Sequence, residues 1–282
     1  LAHGKDPHFP AWTDTVQLDY FNPDMRAALL HELQNIAQYC DGVRCDMAML
    51  VLNEVFAQTW GKHMQGVVYP SGEFWREAIA RLPDFMWIAE VYWDQEWELQ
   101  QLGFHFTYDK RLYDRLRHEN PRGVALHLQA DVAFQSKLVR FLENHDEARS
   151  AVVFGNVRLP AVGVLIATLP GMRLYHQGQL AGKRIRIPVQ LCRVQEESPD
   201  DTTAAFYDRI LAITNEEVFH AGEWALLTVR STGDDSFNNI IAYQWKTNRD
   251  WRMIVVNVSA MVAQAYIHLN GQLEIDPHMR SV

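Results

Sequence analysis

The stretch DGVRCD at residues 41–46 constrains the fold of this chain more than any other. It follows an amphipathic helical segment and leads into another helical segment. Val43 and Cys45 place apolar side chains on one face of a short strand, whereas Arg44 and Asp46 alternate with them on the other face. The pattern predicts a buried strand that brings Asp46 to the rim of a cavity. A helix followed by a buried strand is the repeating unit of a parallel α/β fold.

The charged pair Arg44 and Asp46 has two interpretations at this point. Two charges on one face of a buried strand are costly unless they satisfy each other. The first interpretation is therefore a structural ion pair. The second is a nucleophilic aspartate that the neighbouring guanidinium keeps ionised.

Two further segments favour the nucleophile. Residues 87–93 (WIAEVYW) are predicted to form an apolar strand that ends on Glu90, and residues 141–146 (FLENHD) another strand that ends on polar side chains. DGVRCD, IAEVYW and FLENHD resemble three short regions of the α-amylase superfamily, glycoside hydrolase family 13, in the order in which that family carries them. One match would be a weak signal, whereas three in order, each at the end of a predicted strand, are a specific one.

The resemblance implies a retaining glycosidase with two catalytic carboxylates. In such enzymes one carboxylate attacks the anomeric carbon, the other protonates the leaving oxygen, and the two lie about 5–5.5 Å apart. Active sites of barrel enzymes lie at the C-terminal ends of the strands, so Asp46 and Glu90 on neighbouring strands would face each other. Asp46, beside Arg44, is the expected nucleophile. Glu90, flanked by apolar side chains that would raise its pKa, is the expected general acid.

The resemblance also implies residues that bind sugar. Asp146 matches the third carboxylate of the family, which holds sugar hydroxyls, and His145 matches the histidine that hydrogen-bonds the sugar in the cleavage subsite. Arg149 is similar to an arginine of α-glucosidase-like members, although a solvated cation at a helix end fits the sequence equally. Tyr92 and Trp93 are expected either to stack on sugar at the leaving-group side or to pack in the core. The candidate substrate-binding residues are thus Arg44, His145, Tyr92, Trp93 and Arg149.

Two positions depart from the family pattern. Many α-amylases carry a Lys-His pair three and four residues after the nucleophile, where this chain has Met49 and Leu50. That departure disfavours an endo-amylase that acts on long polymers. Two alternatives stay open, a short-oligosaccharide substrate and transfer of the sugar to another acceptor. Leu180 stands where the family commonly has Glu after the last barrel strand.

The predicted fold is a (β/α)8 TIM barrel followed by a small all-β domain. Five strands are predicted before residue 218, and by resemblance they are the fourth to eighth strands of the barrel. A closed barrel needs eight, so the first three are expected upstream of Leu1. After Glu217, short β-rich runs separated by turn residues replace the helices. The expected domains are a partial catalytic barrel over residues 1–218 and a C-terminal β-sandwich-like domain over residues 219–282.

Composition limits the partners and the location. The formal net charge of −9 argues against a nucleic-acid-binding surface, and no run reaches the roughly 18 apolar residues that span a membrane. Cys40, Cys45 and Cys192 allow at most one disulfide, and buried free thiols are expected for the first two, which is compatible with a cytoplasmic location. The histidines lack metal-ligand spacing, so no metal site is predicted. Calcium, common in the family, stays open without assigned ligands.

The expected function is a retaining glycoside hydrolase acting on the α-glucosidic bonds of α-glucans or malto-oligosaccharides through a glucosyl ester of Asp46. An α-glucan transglycosylase or phosphorylase of the same superfamily would differ in whether sugar or phosphate, instead of water, resolves that ester. A non-catalytic carbohydrate-binding relative is a third alternative. Relatives of that kind typically lose a carboxylate, and this chain keeps all three.

Overall fold

The computed structural model describes residues 1–64, 66, 68–189, 191 and 193–269. The chain forms two compact units. The first holds Leu1–Lys110 and Lys137–Val139, and the second holds Arg111–Ser136 and the described residues from Arg140 onward. Cys192 lies outside the described residues, and so do residues 270–282, which end the expected C-terminal domain. The domain boundary near residue 218 stays a prediction.

One sheet carries five strands in the order of the chain: β1 (Gly42–Cys45), β2 (Met86–Ala89), β3 (Phe106–Tyr108), β4 (Leu138–Arg140) and β5 (Met172–Arg173). The first four pair in parallel, with Arg44 opposite Ile88 and Ile88 opposite Phe106. Their carboxyl ends therefore meet at one edge of the sheet, as the helix–strand alternation predicts. In the second unit, the carbonyl of Arg140 accepts a hydrogen bond from the N–H of Leu174.

Helices separate the strands. They are α1 (Pro23–Ile36), α2 (Asn53–Trp60), α3 (Phe74–Arg81), α4 (Glu96–Leu102), α5 (Lys110–Arg117), α6 (Pro121–His127), α7 (Val132–Gln135), α8 (Ser150–Val153), α9 (Gly155–Thr168), α10 (Asp201–Thr214) and α11 (Val218–Ala221). The Asn22 side chain caps α1 by accepting two backbone N–H groups of its first turn. Cys45 is the buried free thiol that the sequence predicts, whereas Cys40, beyond the end of α1, is exposed. None of the helices in the described ranges is long and apolar enough to cross a membrane.

The FLENHD segment is not a strand, and that prediction was wrong. β4 ends at Arg140, and residues 141–146 follow it as irregular chain. The Asn144 side chain accepts the backbone N–H groups of Asp146 and Glu147, which closes a turn in place of strand pairing. Buried apolar side chains at the start of the segment imitate a strand pattern.

The end of the described chain is rich in β-strands, as predicted, and these strands pair antiparallel. Its strands are β6 (Glu223–Leu226), β7 (Thr228–Arg230), β8 (Ile240–Lys246), β9 (Trp251–Asn257) and β10 (Tyr266–His268). They form a sheet ordered β6-β8-β9 and a pair of β10 with β7. Within the second unit, Thr168 at the end of α9 anchors β8. Its hydroxyl lies 2.5 Å from the Tyr243 hydroxyl, and its carbonyl accepts the Trp245 indole N–H at 2.6 Å.

Aromatic side chains form much of the core of the first unit beneath the parallel strands. The ring of Trp87, on β2, contacts those of Phe85 and Trp75, with centroids 5.4 and 6.2 Å apart. Trp75 also packs edge-on against Phe104 at 5.2 Å. Such edge-to-face contacts stabilise beyond their buried area. The strand that precedes Glu90 is thus fixed on a rigid aromatic layer.

We predict that Trp87→Ala destabilises the chain by about 3–5 kcal/mol, because it leaves a large cavity in this layer. Trp87 is fully buried, whereas Trp97 on α4 is 55% exposed and serves as the matched control. Trp97→Ala should change the free energy of unfolding by about 1 kcal/mol or less. Urea denaturation followed by circular dichroism measures both, and equal losses would contradict the assignment of Trp87 to the core.

Candidate active site

Asp46 and Glu90 leave neighbouring strands side by side. Cys45 is opposite Ala89 in the register of β1 and β2, so the residue after each strand emerges at the same edge. Arg44 Nη1 donates a hydrogen bond to Asp46 Oδ2 at 2.7 Å. Its Nη2 lies 2.9 Å from Glu90 Oε2, within ion-pair distance but without the alignment of a hydrogen bond. One guanidinium therefore contacts both carboxylates.

The two carboxylates differ in exposure and in partners. The Asp46 side chain is 75% exposed, whereas the Glu90 side chain is 4% exposed. Glu90 Oε2 accepts the Met47 N–H at 2.8 Å, and Oε1 accepts the Tyr92 hydroxyl at 2.8 Å. Met47 adopts the left-handed conformation, with φ of 43°, which is uncommon for a residue other than glycine.

Burial raises the pKa of Glu90 above its usual value, which is the direction that the sequence predicts. The charge of Arg44 and the hydrogen bonds from Met47 and Tyr92 oppose this rise, and the negative charge of Asp46 adds to it. Burial would lower the pKa of Arg44, but Glu90 and hydrogen bonds with Tyr108 and Asp46 outweigh it and hold that pKa above its usual value. Arg44 therefore stays charged while Glu90 is disposed to hold a proton.

Tyr92 and Trp93 have separate environments. The Tyr92 hydroxyl contacts the Glu90 carboxylate, and the side chain is half-buried. The Trp93 ring lies edge-on to His8, with centroids 4.8 Å apart. The first unit thus brings four of the predicted residues together, Arg44, Asp46, Glu90 and Tyr92, and places Trp93 against the N-terminal segment.

His145 and Asp146 lie in the second unit, in the turn that Asn144 closes. His145 Nε2 is 3.1 Å from Asp146 Oδ2, and the two side chains are 40% and 51% exposed. Both present polar atoms to solvent at a fixed separation. This arrangement is open to a polar ligand.

Arg149, immediately before α8, is 6% exposed and bonded to Glu143 and to backbone carbonyls. This contradicts the solvated helix-end alternative. Its Nη1 donates to Glu143 Oε1 at 2.6 Å and to the Gln177 carbonyl at 2.7 Å, and its Nε donates to the Ile185 carbonyl at 3.0 Å. The guanidinium is therefore largely occupied by contacts within the protein.

In the second unit, Glu143 is a buried charged residue that the sequence analysis did not predict. It is fully buried, and its Oε2 accepts the backbone N–H and the hydroxyl of Ser150, each at 2.7 Å. Its Oε1 contacts Arg149, and His176 Nδ1 lies 3.1 Å away. A lone acidic residue after two apolar ones was the available signal, since a buried carboxylate requires a cation and hydrogen-bond donors.

The described residues contain no group of three or more His, Cys, Asp or Glu side chains arranged to hold a metal ion.

The fold has clear counterparts among solved structures. A maltogenic α-amylase, AmyB, from Thermotoga neapolitana aligns with a TM-score of 0.64 and 22% identity over 86% of this chain and 55% of its own. The cyclic α-maltosyl-(1→6)-maltose hydrolase of Arthrobacter globiformis aligns with a TM-score of 0.63 and 18% identity over 84% of this chain and 53% of its own. An α-amylase from Lactobacillus plantarum aligns with a TM-score of 0.61 and 21% identity over 87% of this chain and 59% of its own. These likenesses confirm the predicted fold, a part of a TIM barrel followed by a β region.

A curated relative extends the likeness to sequence. The α-amylase MalA of Haloarcula japonica is 24% identical over 258 residues, which cover 87% of this chain and 35% of that protein. This likeness in sequence agrees with the resemblance to the α-amylase superfamily. No protein-family model matches this chain. The superfamily resemblance drawn from DGVRCD, IAEVYW and FLENHD is thus confirmed, while the chain spans about a third of the curated relative and just over half of the solved structures.

We predict that Glu143→Gln destabilises the chain by about 3 kcal/mol, because it leaves the buried Arg149 without a counter-charge. Glu196→Gln, at an exposed position of the same unit, is the matched control and should be nearly neutral. Urea denaturation of both variants measures the difference. A loss below about 1 kcal/mol for Glu143→Gln would show that the ion pair is dispensable.

We also predict a pH-dependent contribution of Glu90 to stability. Because the pKa of Glu90 is higher in the folded chain than in the unfolded chain, the folded chain holds the proton more tightly. The stability that this gives is fully present below the unfolded pKa, about 4.3, and is lost as pH rises through the folded pKa. Relative to Glu90→Gln, which cannot titrate, the wild type should lose free energy of unfolding across that window. Urea denaturation from pH 4 to 8 measures the free energy of unfolding of both proteins. A difference between them that stays constant over this range would contradict the prediction.

Proposed function

We propose that the protein is a retaining glycoside hydrolase that cleaves α-glucosidic bonds of α-glucans or malto-oligosaccharides. The observation that carries the proposal is the pair Asp46 and Glu90 on the guanidinium of Arg44. One carboxylate is exposed beside a cation, and the other is buried with a raised pKa. A buried carboxyl group with a raised pKa fits a general acid, and the exposed carboxylate on the neighbouring strand fits a nucleophile.

In the first half of the reaction, an oxygen of Asp46 attacks the anomeric carbon of the bound sugar. The bond between that carbon and the glycosidic oxygen breaks, and Glu90 gives its proton to the departing oxygen. The result is a glucosyl ester of Asp46 and a released sugar alcohol. Arg44 stabilises the ionised Asp46 before attack and the Glu90 carboxylate after it has lost its proton.

In the second half, Glu90 acts as a base. It takes a proton from water, whose oxygen attacks the anomeric carbon and displaces the Asp46 carboxylate. Two displacements restore the original α configuration. In the second unit, Asp146 and His145 are proposed to bind sugar hydroxyls, as the family resemblance implies, because their polar atoms are exposed.

The names of the similar proteins support the substrate class. They include α-amylases, a maltogenic α-amylase and a hydrolase of a cyclic maltosyl-maltose. We therefore expect α-linked glucose units in the substrate.

A transglycosylase is the second candidate, and the residues after β1 favour it. Met49 is fully buried and Leu50 is half-buried. The chain thus lacks, at these positions, the ammonium and imidazole that many α-amylases offer to a long glucan. An acceptor sugar in place of water would resolve the same ester.

We predict that Asp46→Asn lowers kcat at least about a thousandfold while leaving folding intact. Glu90→Gln should lose turnover of malto-oligosaccharides yet retain turnover of aryl α-glucosides whose good leaving groups need no protonation. Asp84→Asn, at an exposed position before β2, is the matched control and should keep full activity.

A proton NMR time course on malto-oligosaccharides provides the measurement. The α-anomer should appear first with the wild type, and glucosyl transfer products would identify the transglycosylase. An initial β-anomer, or full activity of Asp46→Asn, would overturn the proposed mechanism. Binding of sugar without any product would instead favour the non-catalytic relative.

A further inference from the structure

The two oxygens of Glu90 have partners of different chemistry. Oε2 accepts the Met47 N–H and lies against the guanidinium of Arg44, whereas Oε1 accepts the Tyr92 hydroxyl at 2.8 Å. An N–H group and a guanidinium can only donate. A hydroxyl can donate and accept. Tyr92 is therefore the partner that suits Glu90 in both protonation states.

This asymmetry decides which oxygen carries the proton. A proton on Oε2 would point at two donors, one of them charged, and would lose both interactions. A proton on Oε1 leaves the contacts of Oε2 intact, and the Tyr92 hydroxyl can rotate to accept it. When Glu90 is ionised, the same hydroxyl donates to Oε1. The contact between Tyr92 and Oε1 can thus persist while the proton comes and goes.

The backbone fixes Tyr92 in this place. Glu90 and Tyr92 are two residues apart just beyond the end of β2, and their side chains meet at 2.8 Å. Val91 between them is fully buried and anchors the segment. Trp93 and Asp94 then adopt left-handed conformations in succession, with φ of 60° and 63°, which turn the chain directly after Tyr92. Non-glycine residues persist in such conformations where the surroundings hold them.

We propose that Tyr92 is a positioning residue, whose hydroxyl holds Oε1 of Glu90 as the proton-carrying oxygen in both halves of the reaction. The proposal rests on the proposed function, in which Glu90 is the acid and then the base. In the first half the proton on Oε1 passes to the glycosidic oxygen, and the Tyr92 hydroxyl turns from accepting to donating. In the second half Oε1 takes a proton from water and the hydroxyl turns back. Tyrosine itself loses no proton.

Three variants separate the hydroxyl from the ring. Tyr92→Phe keeps the ring and removes the hydroxyl, and Tyr92→Leu removes both. Tyr39→Phe, at a tyrosine 88% exposed after α1, is the matched control. Tyr92→Phe should lower kcat on maltosides about tenfold with little change in KM, and spare activated aryl α-glucosides. The basic limb of its pH profile should move to higher pH, because a donor that favours the Glu90 carboxylate is gone.

If the ring alone acted, by stacking on sugar, Tyr92→Phe would behave as wild type and Tyr92→Leu would raise KM. That result would overturn the proposal. So would a change in KM without any change in the pH profile of Tyr92→Phe.

A titration that needs no turnover completes the test. The carboxyl carbon of Glu90 is followed by NMR in protein labelled with carbon-13 at glutamate carboxyls, and Glu90→Gln assigns its signal. The midpoint should be higher in Tyr92→Phe than in the wild type and in Tyr39→Phe, and an unchanged midpoint would refute the contact. A wild type that turns over no α-glucoside while its Glu90 titrates as expected would refute the proposed function and leave the contact standing.

Discussion

The guanidinium of Arg44 is the interaction on which the candidate site depends. Parallel pairing of β1 and β2 forces Asp46 and Glu90 to leave the sheet side by side. Two carboxylates at that spacing repel each other, and burial of one of them adds a desolvation cost. A cation on the same strand offsets both effects, because its two terminal nitrogens reach one carboxylate each. Without Arg44, this register of strands would leave Glu90 buried without a counter-charge.

Local pattern was enough to predict much of this arrangement. The alternation in DGVRCD places Arg44 and Asp46 on one face, and the apolar neighbours of Glu90 predict the raised pKa that burial produces. The amphipathic helix expected before DGVRCD is α1 (Pro23–Ile36), which ends shortly before β1. In each case the interactions that decide the structure lie within a few residues along the chain.

The predictions that failed or stayed open depend on side-chain contacts that local sequence patterns do not reveal. FLENHD was predicted as a strand because its first residues are apolar and buried, yet the side chain of Asn144 closes a turn there. For Arg149, local sequence fits a sugar ligand and a solvated cation equally. Its burial depends on carbonyls near residues 177 and 185, which are far along the sequence. Nor does spacing reveal that the Tyr92 hydroxyl, and not its ring, contacts Glu90.

Each of the two units contains a buried glutamate beside an arginine, but the two arginines have different further contacts. Glu90 pairs with Arg44, and Glu143 pairs with Arg149. Arg44 also reaches its aspartate, so it can act on the charge of Asp46. Arg149 is taken up by Glu143 and backbone carbonyls, and with Ser150 it fixes the end of the segment that carries Asp146. The guanidinium of Arg149 thus serves to hold this segment in place through contacts within the protein.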